Sequence, residues 1–193
     1  MNPRELKKAL REEALARRDG LDPQWRIEAS LRMAEAAELL GVEPGMVVSG
    51  FWPMRSEVDV RPLMFALSER GARLCLPAIL DKQTIVFREL VRGAEMVDMG
   101  FGTYGPGPDA AVLDPDLMLI PLAAFDDRGH RIGYGAGYYD RAIDKMKASG
   151  RDPRLVAIAF DCQEVTRVPD QDHDVQLPQI LTESGLRPFP NGL

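Results

Sequence analysis

Two short runs of this chain, residues 117–122 (LMLIPL) and 155–160 (LVAIAF), carry no polar side chain. A strand of that kind has no face to offer water, so it belongs inside a sheet covered on both sides. Between and before these runs lie stretches with helical periodicity. Residues 3–18 place Leu6, Ala9, Leu10, Ala14 and Leu15 at three-to-four spacing, an apolar stripe, with Lys7 and Arg11 on another part of the surface. Asp22-Pro23 is a cap followed by a first-turn proline, so a second helix is expected over 23–40, stopping at Gly41. Further strands are expected at 47–52, 73–77, 84–89 and 179–182, and helices at 58–70 and 135–149. Short apolar strands alternating with helices predict an α/β fold. A mainly parallel, Rossmann-like open sheet with helices on both faces is expected. At 193 residues the chain, 1–193, is read as a single domain.

The most informative stretch follows the first apolar run: AAFDDRGHRIGYGAGYYDR, residues 123–141. A strand, a loop with Gly133, Gly135 and Gly137, and then a helix is an order that makes an anion site. Glycines let backbone N–H groups approach a phosphate, and the helix N-terminus adds partial positive charge. Arg128, Arg131 and Arg141 bring fixed charge to the same region, and Asp140 is a candidate ligand for a metal on the phosphates. The spacing does not match the dinucleotide fingerprint, and no Gly-Lys-Ser/Thr follows as in a Walker A loop. A tight turn that lets the helix pack close to the sheet remains the competing reading.

Other segments carry weaker signals. Lys7 and Arg11 are either a solvated basic face or phosphate ligands from a distant part of the chain. Glu57 lies just past a strand end, where open α/β sheets bind ligands, but it could equally be a first-turn acid of a helix capped by Ser56. Residues 92–110, dense in glycine and proline, read as a long ordered loop or lid. Asp172, His173 and Asp174 are either a locally capped turn or a second metal or phosphate contact. The tail 188–193 is expected to be poorly fixed.

A net charge of −6 argues against nucleic acid as a partner. The charged N-terminus lacks the apolar core of a signal peptide, and no apolar run reaches the roughly 18 residues of a membrane span. Cys75 and Cys162 lack CxxC spacing and read as buried free thiols. A cytoplasmic protein with no membrane partner is expected, as a monomer or alternatively a homodimer.

The run AFDDRGHRIGYGAGYYDR closely resembles the signature AFDxxGxRLGxGxGYYD of the 5-formyltetrahydrofolate cyclo-ligase (5,10-methenyltetrahydrofolate synthetase) family. Lys7–Arg11 resembles the family's N-terminal KxxxR, WPMRSEVD its substrate-binding acid region, and residues 155–183 its C-terminal block. The resemblance implies ATP-dependent conversion of 5-formyltetrahydrofolate to 5,10-methenyltetrahydrofolate with Mg²⁺. It implies ATP contacts from Lys7, Arg11, Arg131, Ile132, Gly133, Tyr134, Gly135, Ala136, Gly137, Tyr138 and Tyr139. Substrate contacts would come from Trp52, Glu57 and the loop Tyr134, Gly135, Ala136, Gly137 and Tyr138. Arg131 and Tyr138 would be catalytic, and Asp140 and Asp174 would hold the metal. Two segments depart from the pattern. Residues 103–108, TYGPGP, lack the glutamate of the usual GIxEP, and Pro178 stands near the place of a common aspartate. A folate- or nucleotide-binding paralogue without catalysis is the alternative, and a phosphosugar isomerase on a related sheet a third reading.

Overall fold

A computed structural model describes residues 2–100, 102–172 and 174–190. Helix α1 spans Pro3–Asp19. It starts where Asn2 and Glu5 cap each other's backbone N–H groups, both at 2.9 Å. Helix α2, Pro23–Ala34, is capped by Asp22 as expected. Its last turns tighten into a 3₁₀ segment, Glu35–Leu40, which ends at Gly41 in the left-handed region. Strand β1 is Val47–Ser49, shorter than expected, since Phe51 and Trp52 turn from the sheet toward the cavity described below. Helix α3, Arg61–Glu69, starts later than expected and has no side-chain cap. Ser56 does not serve it, because its hydroxyl is engaged by Arg18 and Asp19.

Strands β2 (Arg73–Ile79) and β3 (Ile85–Leu90) form a hairpin. Within residues 92–110 a second hairpin, β4 (Met96–Asp98) with β5 (Tyr104–Pro106), replaces the expected irregular loop. Strand β6 (Leu117–Pro121) leads to a small ribbon, β7 (Ala124–Phe125) with β8 (Arg131–Ile132). Helix α4 is Tyr138–Ala148, beginning after the glycines and not within them. Strands β9 (Arg154–Ile158), β10 (Gln179–Thr182) and β11 (Gly185–Pro188) complete the chain. The tail is better anchored than expected. Phe189 is buried and its N–H donates to Pro178 O at 2.8 Å, while residues 191–193 lie outside the described ones.

Among the described residues, the main sheet has the order β11-β10-β9-β6-β1-β2-β3, parallel from β10 to β2 and antiparallel at both edges. Alternation along β6 and β9 sends side chains to two cores. Leu117, Leu119, Val156 and Ile158 pack with Met33, Leu40, Leu63 and Leu67 of the α2–α3 face. Met118, Ile120, Leu155 and Ala157 pack with Ile143 and Met146 of α4. Both faces of the apolar strands are therefore covered by helices. From β1 the chain runs outward through α3 to β2 and β3, whereas β6, β9 and β10 extend the opposite side. The carboxyl ends of β1 and β6 thus flank a topological switch point, where connections diverge and leave a crevice.

Candidate active site

A cavity of about 680 Å³ opens at this crevice, within the roughly 300–1,000 Å³ usual for small-molecule sites. Its wall is drawn mainly from α1, the segment after β1, the glycine loop with the start of α4, and residues 174–175, with Pro77, Ile79, Ile85, Thr103 and Pro121 completing it. Every residue that the family resemblance assigns to ATP, substrate or metal lines it, from Lys7 and Arg11 through Trp52, Glu57 and residues 131–140 to Asp174, whereas Arg128, Arg141 and Asp172 do not.

Helix α1 crosses this end of the sheet and turns a cationic line toward it. Leu10 and Ala14 pack on Ala124, Ile132, Val165 and Val168. Leu6 is 39% exposed and Ala9 is exposed too, so the apolar stripe read from spacing is only partly the buried one. Lys7 and Arg11 point into the cavity. Lys7 Nζ pairs with Asp174 Oδ2 at 2.9 Å, and Arg11 Nε donates to Gly133 O at 2.8 Å. The solvated-face reading of this pair is thereby excluded.

The glycine loop follows β8. Arg131, nearly buried, pairs with Asp140 Oδ1 at 2.8 Å and donates to Val175 O at 2.9 Å. Gly135 and Gly137 have φ of +103° and +67°, so their backbone shape itself calls for glycine. Gly133 has neither a left-handed φ nor a heavy atom within 4 Å of an added Cβ. Open space on that side suits close approach of a ligand to the backbone, and a tight turn gives no reason for glycine there. Two of the expected arginines point elsewhere. Arg128 is spent on Asp126 (2.7 Å), Val168 O (2.9 Å) and Asp170 (3.0 Å), where it stabilises a buried carboxylate. Arg141 donates to Gln83 O and Ala136 O and lies over the Tyr138 ring at 5.4 Å. The sequence could not distinguish these arginines from Arg131, because all three lie within residues 128–141 and only the tertiary fold sorts their directions.

The segment after β1 forms the opposite wall. Glu57 is 8% exposed. Its Oε2 accepts from Met54 N–H at 2.8 Å, while Oε1 is buried with no hydrogen-bond partner. Burial pushes this carboxyl above its ordinary range, opposed by the Tyr134 hydroxyl, the Met54 N–H and the charge of Arg18. The first-turn reading of Glu57 is overturned, since α3 begins four residues later. Trp52 sits between the Arg61 guanidinium, 5.0 Å from its ring, and Tyr104, edge-on at 6.3 Å. The departing segment 103–108 therefore borders this wall, and Thr103 lines it. Beside it the Tyr139 hydroxyl is buried without a partner.

Asp174 serves both readings of its cluster: it lines the cavity, and its Oδ2 accepts from Gln171 N–H at 3.0 Å as a turn would require. His173 lies outside the described residues. Arg18 was missed by sequence reading. It is 3% exposed, with Nε on Ser56 Oγ (2.9 Å) and Nη1 on Tyr134 Oη (2.8 Å). The signal was present, since Arg18 follows Lys7 and Arg11 at i+11 and i+7 on one helix face. Of the cysteines, Cys75 is buried as expected but Cys162 is only half-buried. No helix among the described residues is long and apolar enough to cross a membrane.

Fold and cavity together define an open-sheet α/β protein with a charged and aromatic binding crevice at its switch point. More narrowly, the chain belongs to the 5-formyltetrahydrofolate cyclo-ligase family, whose model matches residues 3–183. A 5-formyltetrahydrofolate cyclo-ligase of Escherichia coli (strain K12) is 30% identical over 178 residues, covering 87% of this chain and 95% of that one. Its counterpart from Mycolicibacterium smegmatis is 29% identical over 169 residues, covering 81% and 86%. The NMR structure of Aquifex aeolicus 5,10-methenyltetrahydrofolate synthetase matches with a TM-score of 0.79 at 25% identity, over 97% of this chain and 95% of that one.

Proposed function

We propose that this chain converts 5-formyltetrahydrofolate to 5,10-methenyltetrahydrofolate with hydrolysis of ATP to ADP and phosphate. Family membership supports the reaction. The observation that carries its placement is the division of one cavity into two chemically different walls. Lys7, Arg11, Arg131 and the glycine loop make a wall for phosphates. Glu57, with an unpartnered buried oxygen, and Trp52 make a wall for an aromatic heterocycle that donates hydrogen bonds.

The chemistry needs both walls at once. A formamide oxygen is a poor leaving group until it takes the γ-phosphoryl of ATP, with ADP departing. N10 then attacks the formyl carbon, its proton is lost, and the C–O bond breaks to release phosphate. Little covalent work falls to the protein, which positions the two substrates and balances phosphate charge. Glu57 and Trp52 hold the pterin so that its formyl group faces the glycine loop. Arg131 and Tyr138 face the transferring group, while residues 132–139 wrap the nucleotide.

Asp140 and Asp174 suit Mg²⁺ held jointly with a nucleotide. Among the described residues no group of three or more His, Cys, Asp or Glu forms a protein-only cage. Two carboxylates beside a phosphate site, completed by phosphate oxygens and water, is the set a hard octahedral ion takes. When bound, Mg²⁺ would neutralise phosphate charge.

The test is methenyl absorbance from 5-formyltetrahydrofolate and Mg²⁺, with and without ATP. ATP-dependent product with matching ADP release is expected. Absence of product at saturating ATP overturns the reading, and tight folate binding by calorimetry in that case identifies a non-catalytic binding protein.

A further inference from the structure

We propose that Arg18 is a positioning residue that sets the substrate half of the cavity, holding the Glu57 segment and the Tyr134 side chain in register. The inference rests on the assignment of Glu57 to the folate side made above.

Arg18 is the third cation on the inward line of α1, but it differs from the other two. Lys7 and Arg11 meet Asp174 and Gly133 O on the nucleotide half. Arg18 lies two turns further on, and its partners are the two hydroxyls that flank Glu57. Its Nε donates to Ser56 Oγ, the residue before Glu57, and Nη1 to the hydroxyl of Tyr134. Ser56 Oγ in turn donates to Asp19 Oδ1, and Tyr134 Oη reaches Leu122 O at 3.4 Å. The chain Asp19–Ser56–Arg18–Tyr134–Leu122 therefore ties α1, the segment after β1, the glycine loop and the end of β6.

A buried guanidinium is costly to desolvate and persists where several partners fix it. Here its planar fork reaches two acceptors on different segments in one fixed geometry, which the rotatable donors of an ammonium do not impose. Tyr134 shows the consequence. The residue is 41% exposed on the cavity wall, yet its hydroxyl is held by Arg18, so one end is fixed while the residue borders the ligand space. The positive charge also favours the ionised form of the neighbouring Glu57, the form that accepts hydrogen bonds through both oxygens.

The test is steady-state kinetics of Arg18→Met, Arg18→Lys and Glu57→Ala, each variable substrate titrated at saturation of the other, with thermal melts alongside. Arg18→Met is expected to raise the KM for 5-formyltetrahydrofolate about tenfold while the KM for ATP moves less than about twofold. Arg18→Lys, which keeps charge but not the fork, should recover only part of the loss. Equal rises in both KM values, or no change in either, overturns the inference. If Arg18→Met does not fold, Ser56→Ala, which removes one of the two acceptors, carries the same expectation and the same overturning results. Glu57→Ala separates the two claims. If it leaves the folate KM unchanged, the site assignment itself fails. If it raises that KM and the Arg18 variants do not, only the role of Arg18 fails.

Discussion

Lys7 donates to Asp174 Oδ2 at 2.9 Å across 167 positions of chain, joining a cation suited to phosphate with a carboxylate suited to metal. Arg131 and Asp140 form a second pair of the same kind at 2.8 Å. The two pairs let the cavity hold its charges without a ligand, and nucleotide with its metal would exchange one set of partners for another.

For the first pair, Asp174→Asn should alter function far more than stability. Both side chains are a quarter exposed, and such pairs contribute about 0–1 kcal/mol. The melting temperature should therefore stay nearly unchanged. Turnover should fall by about tenfold or more, with the Mg²⁺ dependence shifted to higher concentration, as a lost ligand requires. A normal Mg²⁺ titration would remove Asp174 from the metal site.

Glu57 should show opposed effects on stability and binding. Its carboxyl is raised in the fold, first by burial, from an ordinary value of 4.5. The contribution of such a group is full below the unfolded pKa and is lost as pH rises through the folded one. Glu57→Gln removes the cost of a buried charge, so the ligand-free variant should be more stable by roughly 1 kcal/mol at about pH 7.5. That gain should vanish toward the acid side of the ordinary glutamate value. Its KM for 5-formyltetrahydrofolate should nevertheless rise about tenfold. Denaturant melts over a pH series and folate titrations check the two halves; a variant less stable at neutral pH would contradict the first.

Gly133→Ala isolates ligand approach from folding. The added methyl meets no heavy atom within 4 Å, and the backbone is not left-handed. Stability should change by less than about 0.5 kcal/mol, whereas ATP affinity should fall about tenfold by methyl intrusion on a phosphate. Gly135→Ala, forced onto a φ of +103°, should lose stability as well. Calorimetry with a non-hydrolysable ATP analogue distinguishes the two. Unchanged affinity in Gly133→Ala would show that the loop does not cradle phosphate.

The cysteines should differ in reactivity. Burial pushes the Cys75 thiol up to about 12, and its Sγ lies 3.6 Å from Val48 O in the sheet. Burial raises the Cys162 thiol as well, but this residue is only half-buried and so stays open to reagents. Alkylation of the native protein at about pH 8 should modify Cys162 while sparing Cys75 until unfolding. Equal labelling rates would show that the sheet opens there.

Local patterns in this sequence were good guides to local structure. The unbroken apolar runs became β6 and β9 with helices on both faces, and Asp22 and Gly41 bound the second helix and its 3₁₀ extension. The hairpin within 92–110 was hidden because its strands are only three residues each in a segment dense in glycine and proline, and it is held by pairing across residues 96–106. The late start of α3 was hidden for another reason: Ser56 is a good cap by type but is claimed by Arg18 from a distant helix.

The candidate site divides along the same line. Residue types and order marked the glycine loop and Asp140 as candidates, whereas Lys7, Arg11, Glu57 and Asp174 stayed open between two readings until the family resemblance joined them; the fold brings all of them to one cavity. Direction was not encoded locally. Arg128, Arg131 and Arg141 are equivalent as letters, yet one braces Asp126, one faces the cavity and one grips Gln83 O and Ala136 O. Arg18 gained its place only when α1 crossed the sheet and met two hydroxyls from other segments. The sequence by itself determined most of the elements, since propensity, capping and periodicity act over a few residues, and its long signature pointed to the family. Only the tertiary structure decided which charged groups share one cavity, because that depends on sheet order and on which buried group finds a partner.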